Sequence, residues 1–285
     1  MIALALVVFA VVLAWPVPRL MARVRVFRRS PRAALFAWQA VTLGAILAAL
    51  AAAPAFAPLM LFDGQEVSRH FMILAVAVSV SGIMLGRLLI AGHTIGRRMR
   101  VLRKRHREVV DIISLEHDPR SRVRILEAAA PTAYCLPGRH SRVVLSKGIL
   151  DAMPPAALTA VLAHEHSHLK WRHDLLIEFF SVIHETVPTQ LRSREAMHEV
   201  RLLIEALADR ASVRRAGRNA TRQALLALAG AHTPEGTLGA GAGTMAARLD
   251  LVEHSGPHRG LAMLMYGYAA ALVAIPLALL ALAWS

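Results

Sequence analysis

"VLAHEHSHLKWRHD", residues 161–174, strings four histidines and one glutamate along a single short stretch. Leu158, Val161, Leu162 and Leu169 recur around it at helical spacing, and Pro154-Pro155 suits the first turn, so the spacing predicts a helix. On a helix, residues four apart share a face, while residues two apart point roughly opposite ways. His164 and His168 therefore form a pair able to hold one metal ion. Glu165 stands between them, within reach of a water on that ion. This is the H-E-x-x-H pattern, here "HEHSH". His166 falls on the wrong face and reads as a surface or packing residue. His173 is five residues past His168 and reads as a supporting or structural residue.

A catalytic zinc site takes three protein ligands and keeps a fourth position for water. Downstream, "LLIEALADRAS" (202–212) offers Glu205 and, four residues on, Asp209. Glu205 is the candidate third ligand. Asp209 is the candidate acceptor that fixes the tautomer of a ligating imidazole. Glu185, Glu195 and Glu199 are rivals by spacing alone. The pair Glu195 and Glu199 sits among Arg192, Arg194, His198 and Arg201 and reads as a solvated surface. Glu205 sits among Leu202, Leu203, Ile204, Leu207 and Ala208, which reads as a buried helix.

Around this motif the chain is unusually apolar. Of its 285 residues, 56% are hydrophobic, which exceeds an ordinary soluble domain and predicts membrane segments. Four apolar runs are long enough or nearly so: residues 2–17, 33–53, 71–91 and 261–284. Arg87 interrupts the third near its end, where it can snorkel. The net charge is +14, almost all of it arginine; lysine occurs only at Lys104, Lys147 and Lys170. Arginines crowd the loop after the first run and the "RRMRVLRKRHR" segment after the third, whereas the loop between the second and third is acidic or neutral. By the positive-inside rule the N-terminus is outside and residues 93–259 are cytoplasmic. The basic segment also suits anionic lipid headgroups. No aromatic interleaving or recognition motif supports direct binding to nucleic acid. The lone Cys135 excludes an intrachain disulfide.

The expected organisation is thus three membrane helices in residues 1–92, a domain in 93–259, and a fourth membrane helix in 260–285. Within 93–259, a helix continuing from the third run carries the basic segment. "RVRILEA" (122–128), "TAYCL" (132–136) and "RVVLS" (142–146) read as strands, and Pro137-Gly138 turns the last two into a hairpin. "DLLIEFFSVIHE" reads as a core helix rather than a fifth span. "GTLGAGAGTMAA" reads as a flexible low-complexity loop.

"SRVVLSKGILDAMPPAALTAVLAHEHSHLKWRHDLL", followed by "EALADRA", resembles the membrane-embedded gluzincin metallopeptidases: the HtpX/CAAX-protease type and, more closely, the BlaR/MecR-type antibiotic-sensor peptidases. The resemblance covers about residues 130 to 214; the remainder agrees in layout. It implies a mainly α membrane protein of four transmembrane helices, with a cytoplasmic α+β zincin-like domain inserted between helices 3 and 4. It implies Zn²⁺ as cofactor, with Glu205 of an E-x-x-x-D motif as third ligand and Asp209 as its partner. The strand before the zinc helix is an edge that pairs with substrate backbone, here at Thr132, Ala133 and Tyr134. By analogy the partner is a protein substrate of the penicillinase-repressor type. The expected form is a short one without the extracellular penicillin-binding domain of those sensors, so direct β-lactam sensing is not implied.

The resulting reading is an integral-membrane zinc endopeptidase of a bacterial inner or plasma membrane. His164, His168 and Glu205 bind metal, and Glu165 is the catalytic base. His184, His198 and Arg201 are candidate oxyanion donors. The alternative is a non-proteolytic signal transducer with a structural zinc, which has no use for Glu165. A metal transporter is a weaker alternative, because the four apolar runs contain no His, Asp or Glu.

Overall fold

The structure, a computed structural model, describes residues 1–58, 67–115, 122–187, 189, 192–229, 244–256 and 258–285. Most of the low-complexity stretch at 236–247 therefore lies outside the described residues. The chain divides into two compact units. One comprises Met1–His93, Phe180–Val200 and His258–Ser285; the other comprises Thr94–Phe179 and Arg201–Pro257.

The first unit is built on apolar helices: α1 (Ile2–Ala14), α2 (Pro16–Arg23), α3 (Pro31–Ala51), the first part of α4 (Val67–Ile113) and, at the chain's end, α11 (Arg259–Ala283). Four stretches are long and apolar enough to cross a membrane: Ile2–Arg23, Pro31–Ala51, Leu74–Ile113 and Arg259–Ala283. They mark a membrane protein. On α4, Val76, Val80, Ile83 and Ile90 are exposed, as suits a helix whose solvent is lipid.

Lipid tails give apolar helices no reason to associate, so packing depends on close approach. Helix α3 supplies it with a stripe of small residues: Ala33, Ala37, Ala40, Gly44, Ala48 and Ala51 are all buried. At Gly44 a Cβ would stand only 2.6 Å from the Leu272 carbonyl of α11, so a side chain there would force the two helices apart.

Two polar details bear on the sequence reading. Arg87 donates to the Thr186 carbonyl, at the end of a helix that favours a cation. Glu199 is not a solvated charge. It is 3% exposed and takes a two-pronged hydrogen bond from Arg28, at 2.8 and 2.6 Å.

The second unit holds a three-stranded sheet of β1 (Val123–Leu126), β2 (Ala133–Leu136) and β3 (Arg142–Ser146), ordered β1-β3-β2. β2 and β3 form the expected antiparallel hairpin, with Ala133 opposite Leu145. Gly138 in its turn has φ of +136°, a backbone that a side chain would strain. β1 joins β3 in parallel.

Alternation along the strands sorts their side chains between two cores. Ala133, Val143 and Leu145 pack with Ile149, Ala157, Ala160 and Val161 from helices α5 (Lys147–Ala152) and α6 (Pro155–Lys170), and with Ala220 and Ala224 of α9 (Arg218–Ala227). Tyr134, Leu136 and Val144 face Val110 of α4. Cys135 shares the face of Ala133 and so points towards α6.

Helix α6 starts as the two prolines require: Pro154 caps it in extended conformation and Pro155 is its first residue. Three further helices follow: α7 (His173–Thr186), α8 (Arg194–Ala216) and α10 (Met245–Glu253). Helix α4 runs unbroken through the whole basic segment.

Candidate metal centre

Helix α6 places His164, Glu165 and His168 on its buried side; none is more than 8% exposed. Helix α8 brings Glu205 and Asp209 to the same place. Its inner face is Leu202, Leu203, Ile204 and Ala208, each at most 1% exposed, and Ser212 clamps it to α6 by donating to the Ala160 carbonyl at 2.8 Å. Glu205 then lies 3.3 Å from Nε2 of His164 and 3.5 Å from Nε2 of His168. The two imidazole nitrogens are themselves 3.0 Å apart.

These are the spacings a zinc ion needs. Ligands about 2.0–2.2 Å from a tetrahedral ion lie about 3.3 Å from one another. The ligand atoms of His164, His168 and Glu205 form the one such group among the described residues, all within 4.8 Å. Two buried carboxylate oxygens here, Oε2 of Glu205 and Oε2 of Glu165, accept no hydrogen bond. Buried oxygens are rarely left so unless a further group takes them. The residues therefore fit a bound Zn²⁺.

Each histidine is oriented through its other nitrogen. Nδ1 of His164 is 3.0 Å from Asp209, the supporting role expected of that residue. Nδ1 of His168 is 2.9 Å from Nδ1 of His173. His173 reaches back because the chain turns sharply after α6: Arg172 adopts φ of 51°, in the left-handed region, and α7 starts at the next residue. The supporting role read for His173 is thereby given a partner. His166 points away and is exposed, its Nδ1–H bonded to the Leu162 carbonyl.

Arg248 of α10 is the residue that sequence reading missed. It is 1% exposed and grips both oxygens of Asp209, at 2.8 and 2.7 Å. Its Nη1 also stands 3.0 Å from Oε2 of Glu205, at an angle that makes no hydrogen bond. The only signal in the sequence is one cation in the apolar context "MAARLDLV". Of the oxyanion candidates, Arg201 is exposed, and His184 and His198 belong to the other unit.

The charges sort accordingly. Burial works against the carboxylates of Glu205 and Asp209, but Arg248 holds both below the usual range. Burial would lower His164, yet its hydrogen bonds to Asp209 and Glu205 raise it to about 10. Burial drives His168 well below its ordinary value and His173 to about 4. Without metal, then, His164 carries two protons. One faces Asp209 and the other lies between Glu205 and His168. Metal binding at Nε2 of His164 would displace the proton there. Glu165 differs from its neighbours: burial raises it to about 7, and the Cys135 thiol on β2 bonds to it.

Metal-free protein should show this in its stability. His164 binds its proton more tightly folded than unfolded, so its contribution is complete below about pH 6.5 and is lost as pH rises towards 10. Glu165, also raised, has the same sign from about pH 4.5 upward. Thermal unfolding of chelator-treated protein should therefore show falling stability between pH 6.5 and 10, and a flat profile there would count against the His164 pairing.

Beside His164 and Glu165 is a cavity of about 30 Å³, also lined by Ala133, Asp209 and Arg248, with room for a water. β2 is an edge strand of the sheet: among the described residues it pairs with β3 alone, and its four residues are buried.

Residues 97–198 match the model of Peptidase family M48, a family of zinc metallopeptidases. The match spans the sheet, α6 and the H-E-x-x-H motif, and this part of the chain is similar to that family. It stops short of Glu205, Asp209 and Arg248, whose assignment rests on the geometry just described. Neither the curated proteins nor the solved structures yield a match to this chain.

Proposed function

We propose that the chain is a membrane-bound zinc endopeptidase that cuts a cytoplasmic or membrane-proximal protein. The observation that carries this is Glu165: buried, raised to about 7, with one oxygen unpartnered, beside three metal-ligand side chains and a water-sized cavity. A structural zinc site has no use for such a group. His164, His168 and Glu205 would hold the ion, which when bound polarises a scissile carbonyl and makes water more acidic. Glu165 accepts the proton of the attacking water and hands it to the leaving nitrogen; an acid near 7 is suited to both transfers. Asp209 and His173 fix the two imidazoles, and Arg248 keeps Glu205 ionised.

The edge of β2 that lacks a strand partner, at Thr132, Ala133 and Tyr134, is where an extended substrate would add as a further strand. The arginine distribution supports a site on the cytoplasmic side. The BlaR/MecR likeness supports a transcriptional repressor as substrate, and this part rests on layout and analogy alone.

Topology is tested with reporters fused near Gly239 and Gln65, both outside the described residues. The first should behave as cytoplasmic and the second as exported. The reverse would put the site outside and remove a cytoplasmic repressor from consideration. The activity is tested by co-expressing candidate substrates with wild-type and Glu165→Gln protein and following cleavage.

A further inference from the structure

The first unit has a cavity of about 300 Å³ lined by α1, α3, α4 and residues within 180–187 and 192–197. That is the low end of the range for small-molecule sites. Its lining is mostly apolar, including Val11, Val41, Ile46 and Met84, and one part is polar, with His184 and Arg192. Trp38 also lines it. This indole is 2% exposed, and its Nε1–H has no acceptor among the described residues. The two threonines of the lining have committed hydroxyls: Thr42 donates to Trp38 O and Thr186 to Val182 O.

The site thus asks for an apolar body with one acceptor. A peptide strand would bring N–H groups into a lining that is mostly apolar. An acyl ester brings a carbonyl and no donor. Near the polar part, Arg192 lies on the wall, and Arg19 and Arg23 are within electrostatic reach of Glu195. Arg192 already donates to Glu185 and to the Val187 carbonyl, so the three arginines against Glu185 and Glu195 leave a net charge of about one positive.

We propose that this cavity binds one acyl chain of an anionic glycerophospholipid. The ester carbonyl accepts from Nε1–H of Trp38, and the phosphate faces Arg192 and His184.

The test uses full-length protein in detergent with Trp38 as the sole tryptophan. Trp15→Phe, Trp171→Phe and Trp284→Phe remove the others, of which Trp15 and Trp284 are half-exposed at the ends of apolar helices and would meet any lipid. Phosphatidylglycerol with a brominated acyl chain is titrated in, and Trp38 fluorescence is followed. Saturable quenching at about one lipid per chain is expected, with the phosphatidylcholine analogue needing several-fold more. Ala45→Phe, which fills the cavity, should abolish the saturable phase while zinc content stays normal. Should that variant fail to fold, the titration of the unfilled protein still decides. Quenching that rises without saturation, equal quenching by both headgroups, or a retained peptide in the native mass spectrum would overturn the proposal.

Discussion

Glu165→Gln should keep its zinc and its fold and lose peptide cleavage by about 10²–10⁴-fold, the usual contribution of a positioned general base. The amide matches the carboxylate in shape but cannot accept the water's proton. The residue is 3% exposed, so a charged form persists there only at some cost, and burial raises it to about 7. The base must be ionised to act, so the wild-type rate should rise with pH through the neutral range. The residual rate of the glutamine variant should lack that rise. Near wild-type cleavage by Glu165→Gln would remove the enzyme reading of the motif.

Arg248→Met should cost stability by about 3–5 kcal/mol, because it leaves two buried carboxylates to share the His164 imidazolium. Asp209 is 2% exposed and Glu205 is 7% exposed, and both face Arg248 as well as His164. The loss should be largest in chelator-treated protein, since a bound dication compensates part of the missing charge. Arg248→Lys should fall between, as an ammonium cannot reproduce the two-pronged grip on Asp209. Denaturant unfolding with and without zinc measures both effects. A variant as stable as wild type in chelator would mean that the carboxylates are held by something else.

The motif on α6 was legible because helical spacing alone brings His164 and His168 together. Glu205 was narrowed to by its apolar neighbours, and those neighbours do form the buried face of α8. The β2–β3 hairpin followed from Pro137-Gly138. Long-range pairings were not legible. Glu199 has charged neighbours in sequence, but its partner Arg28 is 171 residues away. Arg248 lies 39 residues beyond Asp209 on a short helix, and nothing local marks its partner. The contact between His173 and His168 depends on one left-handed residue, Arg172, and positive φ at a non-glycine residue has no reliable sequence signal. The residues 180–200 read as part of the middle domain, but the packing groups them with the apolar helices.

The central claim is that α6 and α8 together hold one zinc ion through His164, His168 and Glu205. Elemental analysis of purified protein tests it most directly, comparing wild type with His164→Ala, His168→Ala, Glu205→Ala and His166→Ala. About one zinc per chain is expected in wild type and in His166→Ala, as a site of this ligand set requires, and little or none in the other three. Full zinc content in His164→Ala, His168→Ala and Glu205→Ala would contradict the account.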